Sequence, residues 1–435
     1  MIEENWKVLT SLLPAGWRQM AWETGAVRRL RGFPSPDALL RTLMLHVAQG
    51  YSLRETVVRA KLAKWVDISD VALLKRLRNG EEWLRSLCIE LFRQNGVARL
   101  EDAGTVPIRI VDGTIVREPG KTGSQWRILY SLRLPSLICD FFDVTAVIGQ
   151  GTGESLNRLP VVPHELILAD AGYCSIAGIE HVRQQGADVL LRVNPQSFVP
   201  FSPQGSRISL LSRLRTLSKV GQCGEWRVIL RGQDSSFEGR LCALRKNDSA
   251  VEQARRRLHR RASKKQMITR PETVELAKYV LLFTTKFSGS TAQVLEFYRM
   301  RWQIELVFKR LKSLVQMGHV PKHDDCSSRP WVYGKLLIAL LTQKLIRIGH
   351  DISPAAIDSR PERPPSPWRE FSFALRNIQQ AIEPTVSLDR VLLSWNEIAR
   401  ALAEESRRRV LQAQIVNQAI VKMGHGSSNS RFAMS

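Results

Sequence analysis

Three carboxylates, one of them ringed by cations, are the residues of this chain best suited to chemistry. In the segment YRMRWQIELVFKRLK, from Tyr298 to Lys312, Glu305 is the single acid. Without Gly or Pro, the segment predicts a helix of about four turns. At about 100° per residue, Tyr298, Arg301, Glu305, Lys309 and Lys312 share one arc, while Ile304, Val307, Leu311 and Leu314 face the other way. Alone, such a ridge also reads as a solvated face with pairs such as Glu305 with Lys309. Two runs upstream shift that balance. IRIVDGT carries Asp112 and ELILADAGY carries Asp170, each followed by small residues. Both runs predict buried strands that end at their aspartates. Each aspartate could simply cap the turn that follows. A carboxylate on a central strand is costly, however, unless it is paired, hydrogen-bonded or bound to a cation. Asp112, Asp170 and Glu305 therefore make a candidate metal site. Hard oxygens without His or Cys suit Mg²⁺ or Mn²⁺ rather than zinc.

The elements that must carry these residues change character along the chain. Up to about residue 100 the pattern is helical: Pro36 opens a helix that stops at Gly50, Ser52 with Glu55 suits a capping box, and Ser69 suits the cap of a third helix. Lys75, Arg76 and Arg78 face outward on that third helix, which fits a DNA-binding helix-turn-helix or a small helical bundle. From about residue 105 the period becomes extended. IRIVDGT, WRILYSLRLP and ICDFFDVTAVIG predict a three-stranded meander, followed by a short linker or helix near Glu154 to Leu159, the Asp170 strand, a helix from Ser175 and a strand from Asp188. This order predicts a mixed α/β sheet with helices outside. RISLLSRL, EWRVILR and GRLCALR then suggest small strands, and ARRRLHRRASKK a solvated helix, a disordered loop or a phosphate-following segment. YVLLFTT reads as a strand returning to the core before Glu305. Trp331 to Ile348 predicts an apolar helix over the sheet, and the prolines between Ser353 and Pro367 a linker. Beyond them, an amphipathic helix with Leu393, Ile398 and Leu402 precedes Arg407 to Arg409, and the tail is expected to be disordered.

Composition narrows the partners. The chain has 435 residues and a formal net charge of +23, from 64 Lys plus Arg against 41 Asp plus Glu. Such an excess is relieved by a polyanion, and nucleic acid is the first candidate. No run reaches the 18 or so apolar residues of a spanning helix, which argues against a membrane. The acidic start MIEENWKVL has no secretion signal, and six cysteines without C-x-x-C spacing fit reduced thiols in the cytosol and argue against structural zinc. Cys174, close after Asp170, lacks a recognisable partner His for a nucleophile.

Asp112 in D-G-T, Asp170 in D-A-G-Y, and the spaced set Tyr298, Arg301, Glu305 and Lys312 resemble the DDE transposases of bacterial insertion sequences, in the branch with a Tyr-Arg-Glu-Lys signature. The resemblance runs from about residue 105 to about residue 345. It implies a ribonuclease H-like catalytic core in two parts, 104–195 and 286–350, interrupted by a β-rich insertion at 196–285. A helical DNA-binding region at 1–103, a linker at 351–368 and a helical C-terminal region at 369–435 complete the expected organisation. It further implies two Mg²⁺ ions on Asp112, Asp170 and Glu305, with Mn²⁺ as substitute, and cleavage at terminal inverted repeats through a hairpinned end before joining to target DNA. A homodimer pairing two ends, working in the cytoplasm at the nucleoid, belongs to the same expectation. Tyr298, Arg301, Trp302, Lys309 and Lys312 would contact DNA, as would Lys278 and the basic residues Arg255, Arg256, Arg260 and Arg261. Tyr279 stands where relatives carry a tryptophan that stacks on a flipped base. A nuclease of the same fold that cuts without joining, and a DNA-binding derivative without catalysis, are the alternatives.

Overall fold

The computed structural model describes residues 2–97, 107–117, 125–134, 138–148, 153–233, 235–264, 266–318, 320, 324–352 and 366–402. Six helices come first: α1 (Ile2–Ser11), α2 (Trp17–Glu23), α3 (Pro36–Gln49), α4 (Leu53–Leu62), α5 (Asp70–Asn79) and α6 (Glu81–Val97). Their stops and starts follow local chemistry. Ser35 caps α3 by accepting from the Ala38 amide, Ser52 caps α4 from Glu55, and Ser69 caps α5 from Ala72. Gly50 ends α3 in the left-handed region at φ 74°, which glycine adopts without strain.

The sheet then builds from β1 (Ile108–Arg117), β2 (Gln125–Leu134), β3 (Ile138–Ala146), β4 (Leu166–Ala169), α7 (Ile176–Gln184) and β5 (Asp188–Arg192). A 3₁₀ turn at Leu156–Arg158 replaces any longer helix before β4, and another, Ala171–Tyr173, follows it. Next come α8 (Leu210–Leu214), β6 (Cys223–Arg231), β7 (Ser236–Arg245), α9 (Asp248–Lys264), α10 (Pro271–Leu276) and β8 (Tyr279–Thr284). All eight strands form one sheet in the order β3-β2-β1-β4-β5-β8-β7-β6. β1, β4 and β5 run parallel, and every other pairing is antiparallel. The stretch between β5 and β8 is thus not set apart: β8 bonds to β5 on one side and β7 on the other, so β6 and β7 lengthen the same sheet.

Side chains alternate between two cores. Ile110, Ile128 and Tyr130 face the helices, whereas Val111, Leu129 and Ile167 face α7 and the residues around Phe198 and Leu214. The first core is shared by the helices before residue 97, by α13 (Asp325–Ile352) and by α14 (Pro367–Ile382). Between β8 and α13 lie α11 (Thr291–Arg299) and α12 (Trp302–Ser313), and after α14 come α15 (Leu388–Leu393) and α16 (Trp395–Ala401).

Three sequence expectations change. The Tyr298–Lys312 helix is two helices, because around Met300 and Arg301 the amides bond three residues back, Arg301 to Tyr298 and Ile304 to Arg301, and the tightened turn leaves Tyr298 on α11 and Glu305 on α12. RISLLSRL is not a strand: after Arg207, which bridges to Phe201, its leucines form α8 and bury Leu214. The C-terminal amphipathic helix is broken at Ser394 into α15 and α16, with Leu393 89% exposed and Ile398 buried. Residues 353–365 of the expected linker, Arg407 to Arg409 and the tail lie outside the described residues. Among the described residues, no helix is long and apolar enough to cross a membrane.

Candidate active site

Register brings the two aspartates together. In the parallel β1–β4 pair, Ile108 faces Leu166 and Ile110 faces Leu168, so two residues further on Asp112 comes opposite Asp170. The two strands end differently. β4 stops at Ala169, and Asp170 caps the turn Ala171–Tyr173, its Oδ1 accepting from the Gly172 amide at 2.7 Å. β1 runs through Asp112 to Arg117, because β2 continues to pair with it and places Tyr130 opposite Asp112. Asp112 is therefore within its strand, beside the point where β4 has left. Its Oδ1 accepts from the Gly113 amide at 2.8 Å. Capping and cation binding are compatible here, since each cap uses Oδ1 alone.

Arg301 joins this pair to Glu305. Its Nη1 lies 3.5 Å from Asp112 Oδ2 and its Nη2 donates to Glu305 Oε1 at 2.6 Å. Burial pushes the Asp112 carboxyl up to about 7, the Asp170 and Glu154 charges push the same way, and the Gly113 amide and Arg301 oppose them. As placed, no three His, Cys, Asp or Glu among the described residues stand close enough together to hold one ion. Asp112 and Asp170 are brought together, and Glu305 reaches them only through the guanidinium. The donors nevertheless fit a hard dication: they are carboxylate oxygens, partly buried, and the Arg301 side chain stands between Asp112 and Glu305.

The remaining expected residues spread outward. Tyr298 is mostly buried, its hydroxyl pushed up to about 12 chiefly by burial, and the Arg301 guanidinium carbon lies 5.7 Å from its ring centre. Trp302 is 57% exposed. Lys309 is exposed, with its Nζ 5.7 Å from the Trp368 ring centre. Burial, then Arg117, lowers the Lys312 pKa. On α9, Arg257, Arg260, Arg261 and Lys264 line one shallow hollow, while Arg255 and Lys278 line another with Asp248 and Glu252. Arg256 pairs with Glu252 at 3.0 Å. Of the outward cations expected on α5, Lys75 is exposed, but Arg76 donates to the Arg29 and Arg31 carbonyls and Arg78 bonds Asp324 and Ser327. Cys174 is buried, which pushes its thiol up and away from nucleophilic use.

Tyr279 is only 4% exposed, sits in the second core, and accepts from Arg245 through its hydroxyl at 2.8 Å. No face of its ring is open to a base in this conformation. Tyr279→Ala is accordingly expected to lower stability by about 3 to 5 kcal/mol, as for large aromatic truncations, and Tyr279→Phe by about 1 kcal/mol. Thermal melting of the two variants checks this; an unchanged melting temperature for Tyr279→Ala would return the ring to a binding role.

Sequence reading missed a fourth carboxylate, Glu154, and two cations. Burial and the Asp170 charge raise the Glu154 pKa. Arg192, at the end of β5, acts electrostatically on both Tyr298 and Lys246. Burial first, then Arg192 and Arg257, lowers the Lys246 pKa to about 8. The available signal for Glu154 was the glycine after each aspartate, Gly113 and Gly172, which leaves room for a neighbour that local pattern cannot name.

The family described as Transposase DDE domain matches residues 148–341. Transposase InsL for insertion sequence element IS186A of Escherichia coli (strain K12) is 30% identical over 366 residues, covering 82% of this chain and 98% of that relative. The transposase for IS421 of Escherichia coli is 29% identical over 367 residues with the same coverage. More distant, the transposase for IS231B of Bacillus thuringiensis subsp. berliner is 23% identical over 367 residues, covering 75% of this chain and 76% of its own. With two apposed aspartates, a glutamate tied to them and this similarity along most of its length, the chain belongs to the DDE transposases of insertion sequences.

Proposed function

We propose that this protein binds the terminal inverted repeats of its insertion sequence, cleaves the ends and joins them to target DNA, with Asp112, Asp170 and Glu305 as the catalytic carboxylates. The observation that supports this most is the seating of Asp112 opposite Asp170 at the point where β4 ends, with Arg301 beside Asp112 and bonded to Glu305. Two Mg²⁺ ions held by these carboxylates, or Mn²⁺ in their place, would ionise a water or 3′-hydroxyl and stabilise the leaving oxygen. The chain's own part is positioning and charge. Arg301 balances Asp112 and Glu305 before loading and must turn toward a phosphate to let Glu305 approach. Lys312, Lys309 and Trp302, on the same helix as Glu305, hold the DNA backbone near the cut. Arg192 and Lys246 carry the phosphate track onward to α9 and Lys278, and residues 1–103 supply a further DNA-contacting region. A hairpinned end is the expected intermediate, and two protomers pair the two ends at the nucleoid.

The experiment is a cleavage and strand-transfer assay with end DNA, Mg²⁺ and a supercoiled target. Joined products are expected from the wild-type protein. Cleaved ends without joining would make it a nuclease of this fold, and binding without cleavage a catalytically silent derivative.

A further inference from the structure

Glu154 enters the centre from a loop that belongs to neither catalytic strand. Its Oε2 lies 2.2 Å from the point where a Cβ on Gly172 would sit, and its Oε1 3.1 Å from the corresponding point on Gly113. These are the glycines next after Asp112 and two after Asp170, so the carboxylate fills the space that both leave. Tight packing holds the loop. Arg158 donates to the Gly153 carbonyl at 3.1 Å and to Thr145 on β3 at 3.1 Å, and Leu156 is fully buried against Gly178 of α7. A second group points to the same place. Tyr173 is completely buried, its Oη has no hydrogen-bond partner, and it lies 3.3 Å from the Gly113 Cβ position, within the electrostatic reach of Glu154, Asp112 and Asp170. An orphaned buried hydroxyl is destabilising unless something at the site uses it. Packing does not explain why three carboxylates and an unused donor should share so small a space.

Resting on the proposed reading of the aspartates, we propose that Glu154 is an additional ligand of the divalent-cation centre, and that the Tyr173 hydroxyl orients its carboxylate. Glu154 meets the centre at Gly113 and Gly172, from a loop separate from the helix that carries Glu305. As placed these three do not yet converge on one point; a small closure of the Glu154 carboxylate onto Asp112 and Asp170 would complete the cation site while Glu305 is still engaged by Arg301.

The test is Mn²⁺ binding to the full-length protein without DNA, followed by the loss of the free-ion paramagnetic resonance signal. Glu154→Gln is expected to weaken Mn²⁺ binding at least tenfold while binding end DNA in EDTA like the wild type. Tyr173→Phe should weaken Mn²⁺ binding by about threefold, because the hydroxyl, unbonded as placed, donates to Glu154 only when the carboxylates close on an ion. Asp112→Asn is the reference. If Asp112→Asn abolishes Mn²⁺ binding and Glu154→Gln leaves it within twofold, the role of Glu154 is overturned and the aspartate centre stands. If neither substitution alters the binding, the centre itself is wrongly located. Melting in EDTA separates these results from misfolding, and Glu154→Asp, which keeps the charge but shortens the reach, should fall between Gln and wild type.

Discussion

Asp112→Asn is expected to make the protein more stable and nearly inactive at once. The Asp112 side chain is 16% exposed, and its pKa rises from 3.8 to about 7 in the folded, cation-free chain. A folded-state pKa above the unfolded one means that the associated stability is fully present below pH 4 and is lost as pH rises through about 7. At pH 8 in EDTA the wild-type protein therefore carries a penalty that asparagine lacks. After allowance for partial screening this is about 1 to 3 kcal/mol, at 1.36 kcal/mol per pH unit. Melting in EDTA should show a gap of a few degrees at pH 8 that closes toward pH 4. Cleavage of end DNA in Mg²⁺ should fall on the order of a thousandfold, equivalent to about 4 kcal/mol, with affinity for the same DNA retained. Glu305→Ala should show the same loss of cleavage. Normal cleavage by either variant would dismiss the assignment.

The second large effect concerns α9. Seventeen residues long and without a buried residue, this helix contributes nothing to either core. Its apolar stripe, Val251, Ala254, Leu258 and Ala262, is only half covered, and the rest of the helix is strongly basic. Neutralising Arg257, Arg260, Arg261 and Lys264 together should flatten the plot of log affinity against log salt by up to about 3.6, at about 0.9 per phosphate contact. Between 50 and 200 mM salt, that removes on the order of a hundredfold of the salt sensitivity. Arg255 and Arg256 should matter less, since Arg256 already pairs with Glu252 and Arg255 shares its hollow with Asp248 and Glu252. An unchanged slope would put α9 away from the DNA.

Arg301 ties the two results together. Arg301→Ala should strengthen Mn²⁺ binding, because it frees Glu305 and removes a positive charge, yet weaken cleavage, because a phosphate ligand is lost. Direct titration and an end-nicking assay on the same preparation check both signs.

Much of the centre was legible from local pattern. The runs before Asp112 and Asp170 are buried strands whose apolar residues cannot face water, and the small residues after each aspartate permit tight amide contacts. Capping serines and Gly50 marked helix ends because they act within a few residues. What escaped depended on distance. No Gly or Pro announces the break at Met300 and Arg301, where the backbone stays helical and only the bond spacing shortens. RISLLSRL fits either period over so few residues. Glu154 stands 42 residues after Asp112 in the chain, and only the fold shows that it fills the space left by Gly113 and Gly172.

The core shared between the first helices and α13 has a consequence for how the chain comes into being. Val47 on α3 meets Gly334 so closely that a Cβ there would lie 3.0 Å from its methyl group, Cys88 on α6 reaches the Tyr333 carbonyl, and Lys344 donates to the Leu12 carbonyl at 2.8 Å. Arg41 likewise donates to the Ala381 and Ile382 carbonyls. During synthesis the first helices leave the ribosome long before these partners exist, and contacts of such sequence separation close slowly. Until α13 emerges, Leu40, Leu43 and Val47 have no permanent cover on that side. A polypeptide terminated before Asp325 thus ends as two unfinished surfaces prone to association, not as a smaller working protein.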